Sequence, residues 1–546
     1  MTNPNEFYER SEAWIHRVME LNPGAATQLG DHRFDDRLGD FSLAAQDAQN
    51  EEIKGMQAEL AAMEAPGWPN DARVDYTLMT QILKNFVRGH ERLRSHLRNP
   101  SQYLDVTTGD VMLLIMKEFT PLPGRLESAL GRTRQVPRVL EEAREVLVPS
   151  EIPAVWAETA IEQGRMAPML FSALLPSLAA GAAPDLVDEI AEAGAAAAKA
   201  VEAYIEFLKS EVLPNAKGDF AVGRELFDEM LREDHMVDYD ADRLLETGRK
   251  QFELTKRQME SVAGEIDSAR SVEEILDEAK SDHPTADGLL AAYREAMAGA
   301  KQYVIDHEIA TVPPGETLKI IETPVYLRPI IPYAAYNPPG IFDEAQDGVF
   351  VVTPVDPNAT AEEQEQKLRG HFNVKLPVTA LHEAYPGHHL QMVWSNRTET
   401  IPRRMGAFLS TLFIEGWAFY CEELMEQLGW IAEPIQRLGR LHDQLWRAAR
   451  IILDVSLHTR GMTVQEAVDF MVEKVQLEPA NAIAEVRRYT QTPTQPQSYL
   501  MGKLQILDIV EDLKKANPDA SLREVHDALL RAGSLPPRLM RQALEL

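Results

Sequence analysis

Helical periodicity runs through almost all of this 546-residue chain, and one short β-rich segment interrupts it. Apolar residues recur at helical spacing around Tyr8 to Met19, Asp75 to Leu93, Leu186 to Leu208, Leu244 to Val262 and Leu289 to Val304. Such spacing lays an apolar stripe along each helix, and stripes bury only against one another. The expected fold is therefore mainly α. The alanine-rich run Ala191 to Ala203 belongs to this pattern, because Val201, Tyr204, Ile205 and Leu208 continue its stripe. A break at Pro214-Asn215-Ala216-Lys217-Gly218-Asp219 marks a soft boundary between regions 1–215 and 216–546. The interruption lies further on. Leu318 to Tyr326 and Gly348 to Thr353 are rich in β-branched and aromatic residues, and a proline- and tyrosine-rich loop, Pro332 to Pro339, separates them. A small sheet is expected there.

Composition excludes several classes. The net charge of -31 repels nucleic acid and anionic membrane, so neither is an expected partner. No apolar run is long enough to span a bilayer, and the N-terminus lacks the basic and apolar regions of a signal peptide. The single cysteine, Cys421, suits a reducing compartment and sits in an apolar-periodic segment, which favours packing over nucleophilic chemistry. The cytoplasm is the expected location. Asp238-Tyr239-Asp240-Ala241-Asp242 opens like a calcium loop but carries Arg243 and Arg249 where glycine and glutamate are needed. Walker, dinucleotide-binding and nucleophile-elbow signatures are absent from the sequence.

Chemistry concentrates just after the β-rich segment, in His382-Glu383-Ala384-Tyr385-Pro386-Gly387-His388-His389-Leu390-Gln391. Neutral imidazoles bind zinc, and a neighbouring carboxylate can take a proton from a water on the ion. Zinc helices usually place their two histidines four apart on one face, which this segment does not. On an unbroken helix His382 and His388 would face about 120° apart, and His382 and His389 would sit about 10 Å apart along the axis. Pro386 cannot donate to the carbonyl of His382, and Gly387 permits a backbone excursion. A break there would bring His388 back toward His382 and Glu383. His388 follows the glycine directly and is the expected ligand; His389 is left to a supporting or surface role.

A helix from about Pro402 to Leu428, stopped by Gly429, supplies the third ligand. Glu415 is a carboxylate in apolar company, expensive unless paired or metal-bound, and Gly416 beside it lets another backbone approach. Glu422, about two turns on, is either a partner for a ligand imidazole or a solvated helix charge.

These residues carry a resemblance. The His382–Gln391 segment, followed by Glu415-Gly416-Trp417-Ala418-Phe419-Tyr420-Cys421-Glu422, resembles a bacterial family known as domain of unknown function family 885. That family is similar to helical zincin metallopeptidases such as carboxypeptidase Taq, thimet oligopeptidase and angiotensin-converting enzyme. The resemblance runs from Leu21-Asn22-Pro23 and Gly30-Asp31-His32-Arg33-Phe34 nearly to the C-terminus. It implies a large zincin-like helical body with a deep cleft, region 1–215 forming one wall. Zinc would be held by His382, His388 and Glu415, with Glu383 as general base.

Further candidates surround this core. Arg450, Asp454 and His458 recur every four residues on one helix, with Arg447 a turn earlier. They form either an oxyanion-stabilising face or a surface salt-bridge ladder. A histidine at position 458 is part of the pattern that the resemblance implies, which favours a functional role. Arg488, Tyr489 and Tyr499 flank a proline-rich turn and could anchor a peptide carboxylate or steady an oxyanion. This turn departs from the family's Pro-Gly-Gln-Ala-x-Ser-Tyr: Thr494 stands for the glycine and Pro496 for the alanine. The strand Gly348 to Thr353 is either an edge that holds extended substrate or a structural hairpin.

The expectation is a zinc peptidase acting on short peptides. A zinc hydrolase of small non-peptide amides or esters uses the same metal step, and an inactive binding protein of the same fold is the third reading. The oligomeric state stays open, a homodimer included.

Overall fold

The computed structural model describes residues 3–324, 328, 331 and 333–546. They form a mainly helical protein with one small sheet. The chain divides into two compact units, Met1–Val222 with Gly340–Asp343, and Gly223–Pro339 with Glu344–Leu546.

The first unit is built from helices. Pro4–Leu21, Leu43–Ala61, Asn70–Arg88 and Val187–Phe207 are its long ones. The stripe expected over Asp75 to Leu93 forms a helix to Arg88, and the last turn, Gly89–Leu93, widens to π geometry. Arg132 is wholly buried here. It donates to the carbonyls of Arg37, Asp110 and Pro23 and to the Thr27 hydroxyl, which removes the cost of an unpaired interior charge.

In the second unit, helix α1 (Ala241–Ile266) and helix α2 (Leu289–Asp306) precede the sheet. Strands β1 (Glu316–Glu322), β2 (Ala334–Asn337) and β3 (Gln346–Val352) follow in the order β1-β3-β2. β1 runs parallel to β3, from Glu316 opposite Gln346 to Glu322 opposite Val352; β2 is antiparallel, with Tyr336 opposite Phe350. This corrects the sequence reading twice. β2 lies inside the segment expected to be loop, and β3 is the central strand, so its paired residues cannot serve as a substrate-binding edge. Val325, Tyr326 and Pro332, which the sequence places in the first strand and the loop, lie outside the described residues.

The remaining helices that position the site are α3 (Leu376–Glu383), α4 (His388–Asn396), α5 (Leu412–Gln427), α6 (Pro434–Thr459), α7 (Pro479–Gln491) and α8 (Ser498–Ala516). The helix expected from Pro402 to Leu428 is interrupted. Ile401–Arg404 is one short turn, Met405–Phe408 a 3₁₀ turn, and α5 starts afresh at Leu412, whose N–H donates to the Ser410 hydroxyl at 3.2 Å. Gly429 ends α5 at φ 92°, as expected of a helix-stop glycine.

α5 and α8 cross at two glycines. A Cβ on Gly416 would lie 2.4 Å from the Gly502 backbone, and one on Gly502 would lie 2.1 Å from the Leu412 carbonyl oxygen. The helices are therefore in backbone contact beside Glu415, and α8 brings Tyr499 to the same place.

Candidate metal centre

The break between α3 and α4 turns the two histidines toward each other. α3 ends at Glu383, Ala384 leaves helical geometry at ψ -87°, and α4 begins at His388. The Tyr385–Pro386 peptide is cis. The Gly387 N–H donates to the Leu381 carbonyl at 2.9 Å, folding the chain back over the end of α3. A Cβ at Gly387 would sit 1.9 Å from the His382 carbonyl oxygen, so glycine is required here for space. The Trp417 indole, wholly buried on α5, donates to the Pro386 carbonyl at 2.7 Å and fixes the break against the helix that carries Glu415. Gly387→Ala is expected to cost about 1–3 kcal/mol or more, because the obstruction is backbone and cannot rotate away. Urea denaturation checks the loss.

The result is a cluster. His382, His388 and Glu415 each offer one ligand atom, all within 4.8 Å of one another. The two imidazole rings are perpendicular, with centroids 4.8 Å apart. His388 Nε2 lies 3.5 Å from Glu415 Oε2. Two atoms bound tetrahedrally to one zinc lie about 3.3 Å apart, so this pair is close to ligand spacing and the widest pair would contract.

His382 is oriented from behind. Its Nδ1 faces Glu422 Oε1 at 2.8 Å, which leaves Nε2 for an ion. Glu422 is 1% exposed, so it is no solvated helix charge, and its Oε2 has no partner among the described residues. Glu415 sits in the first turn of α5, where the helix dipole favours a carboxylate. Burial would raise its pKa, but the bond from His388, the charge of His382 and the Tyr499 hydroxyl hold it at about 2. His388 is pushed down by burial and raised by Glu415, Glu383 and Glu422, and the carboxylates win. Glu383 is half-buried, and its charge reaches His388 as well as the phenols of Tyr293 and Tyr336.

His389 points away from the cluster. It is wholly buried, with Nε2 at 2.7 Å from Glu316 Oε2 and Nδ1 at 2.9 Å from the Tyr336 hydroxyl. Glu316 also takes bonds from Lys301 at 2.5 Å and Tyr385 at 2.6 Å. Gly348 on β3 leaves the room for this imidazole, since a Cβ there would sit 2.6 Å from its Nδ1. His389 therefore locks α4 to the sheet, and a surface role is ruled out. Sequence reasoning missed Glu316, Tyr336 and Lys301, which no local pattern joins to His389, and gave Tyr385 no role although it lies in the same segment.

The other candidates form an adjoining layer. Tyr499 lies near enough to Glu415 for each to shift the other's titration, and its ring stacks under Arg450 at 4.5 Å and Arg447 at 5.7 Å. Arg450 donates to the Tyr489 hydroxyl and to Glu485, each at 2.9 Å, and Arg488 donates to the same Glu485 oxygen at 2.9 Å. Arg450, Asp454 and His458 are all buried, so they are not a surface ladder. His458 is held by backbone and aromatic contacts: its Nε2 faces the Tyr489 carbonyl at 2.9 Å and its ring stacks on Phe227. Asp454 accepts from the Thr494 N–H at 3.1 Å, and burial pushes its carboxyl well above the usual range. Both therefore brace the segment leading to Tyr499. Thr494 keeps the left-handed backbone that a glycine would adopt easily, at φ 66°, and its hydroxyl meets His235 Nε2 at 3.0 Å. That bond offsets part of the about 1–2 kcal/mol that a left-handed non-glycine residue costs.

The chain belongs to the family described as "Bacterial protein of unknown function (DUF885)", whose model matches residues 23–544. Two solved structures share the fold, each described as a "putative lipoprotein". One, from Shewanella oneidensis, is 25% identical, with a TM-score of 0.81 and 100% of both chains covered. The other, from Colwellia psychrerythraea, is 15% identical, with a TM-score of 0.83, covering 100% of this chain and 99% of that one. Curated proteins offer no match.

Proposed function

We propose that this protein is a zinc-dependent hydrolase that cleaves peptide bonds in short peptides. One observation carries the reading: three ligand atoms of His382, His388 and Glu415 within 4.8 Å of one another, with Glu383 in the chain position next to His382. Two imidazoles and one carboxylate are a donor set that zinc accepts, with room in its coordination for a water. A zinc ion held there supplies Lewis acidity, polarising the carbonyl and easing deprotonation of water. Glu383 takes the proton of the attacking water and passes it to the leaving amine. Tyr499 donates its phenol to the developing oxyanion. Burial and the Glu415 charge raise its pKa against the pull of three arginines, which keeps the phenol protonated and able to donate. Glu422 holds His382 in the required tautomer.

Elemental analysis of protein purified without chelator is expected to find about one zinc per chain, and a peptide digest read by mass spectrometry is expected to show cleaved products. Absence of bound metal sinks the reading; turnover of small amides or esters with no peptide products moves it to non-peptide substrates. No described helix is long and apolar enough to cross a membrane. A cytoplasmic location is a separate proposal resting on the lone buried thiol of Cys421. The description of both structural neighbours as lipoproteins makes cell fractionation its direct test; recovery in the membrane fraction would overturn it.

A further inference from the structure

Beside the metal cluster lies a cationic layer with donors to spare. Arg447 and Arg450 stand one turn apart on α6. Arg450 is 5% exposed, and its Nη1 has no partner among the described residues. Arg447 Nε is likewise buried and unpaired. An interior guanidinium N–H left without an acceptor costs more than a neutral one, so two such atoms in one place call for an explanation. The local charge tells the same story. Among the described residues, the ion pairs of Arg447, Arg450, Arg488 and Lys375 run to two carboxylates, Asp443 and Glu485. In a chain of net charge -31 this layer keeps an excess of positive charge.

Its position gives the excess a use. Both guanidinium groups lie over the Tyr499 ring, at 5.7 and 4.5 Å, and that residue in turn lies within electrostatic reach of the cluster carboxylate Glu415. Arg447 also lies 5.6 Å over Phe419, one turn beyond Glu415 on α5, and 5.4 Å over Trp446. Its side chain keeps 13% of its surface open. One tyrosine ring therefore separates the cluster from the cations. An extended residue spans about 3.5 Å, so an acid one or two residues beyond a scissile carbonyl reaches across such a ring. Guanidinium forks match carboxylates better than any other side chain.

We infer that Arg447, backed by Arg450, binds the free C-terminal carboxylate of the substrate, and that the enzyme removes residues from peptide C-termini rather than cutting internally. This rests on the hydrolytic reading above and refines its substrate class. It also moves carboxylate recognition from Arg488, which is engaged with Glu485 and Gln495, to the helix α6 pair.

Binding and cleavage test it separately. In a zinc-loaded Glu383→Gln variant, calorimetry compares one peptide with a free C-terminal acid and the same peptide as its amide. The acid is expected to bind about 10–100-fold tighter. Adding Arg447→Gln is expected to abolish that preference, with Arg447→Lys restoring only part of it. Equal affinity for the two peptides, or a preference that survives Arg447→Gln, overturns the inference. In the wild-type enzyme, an amidated peptide cut as fast as the acid overturns it while leaving the hydrolase intact. Preferred binding of the acid with neither peptide cut overturns the hydrolase but keeps the anion site.

Discussion

Replacing Glu383 by glutamine is expected to lower kcat by about 10²–10⁴-fold while zinc stays bound. The carboxamide is nearly isosteric and cannot accept the water proton. Glu383 is not one of the three clustered ligand residues, so the metal content should not follow the activity. A general base lost in this way leaves binding and electrostatic stabilisation in place, so KM should change little. Stopped turnover with full zinc occupancy is the signature; retained turnover would remove Glu383 from its role.

His388→Ala is expected to have the second large effect, by losing the metal itself. Only two of the three clustered ligand atoms remain, and the drop in zinc affinity should exceed the about 10–100-fold expected for Glu422→Gln, which disturbs only the orientation of His382. Stability should follow occupancy. An ion at a thousand times its dissociation constant stabilises the folded state by about 4 kcal/mol, and chelation withdraws that. Thermal melts with and without chelator should therefore diverge for wild type and coincide for His388→Ala. A chelator-insensitive wild type would argue that the cluster binds no ion of consequence.

How much of this was legible beforehand differs between element and partner. The long helices could be read because an apolar stripe is a local signal; the stretch Leu244 to Val262 lies inside α1, and Leu289 to Val304 inside α2. The break at Pro386-Gly387 was legible for the same reason, since a missing N–H and a missing Cβ act on the chain where they occur. β2 was not legible. Ala334–Asn337 has a strand's geometry because β3 offers it a ladder, and its neighbouring prolines say loop. Nor was the interruption before α5, where Ser410 and its neighbours end one turn and start another.

The sequence by itself determined the helical class, the small sheet, the turn between His382 and His388, and the residue types able to hold an ion, because each depends on properties carried within a few neighbouring residues. Only the tertiary structure decided which groups meet. The Gly416–Gly502 crossing sets Tyr499 beside Glu415, Trp417 fixes Pro386, Glu316 reaches His389 across 73 residues, and Asp454 and His458 hold the backbone of Thr494 and Tyr489. Those pairings follow from close packing of distant helices, where one absent side chain or one buried acceptor chooses the partner, and no local pattern records that choice.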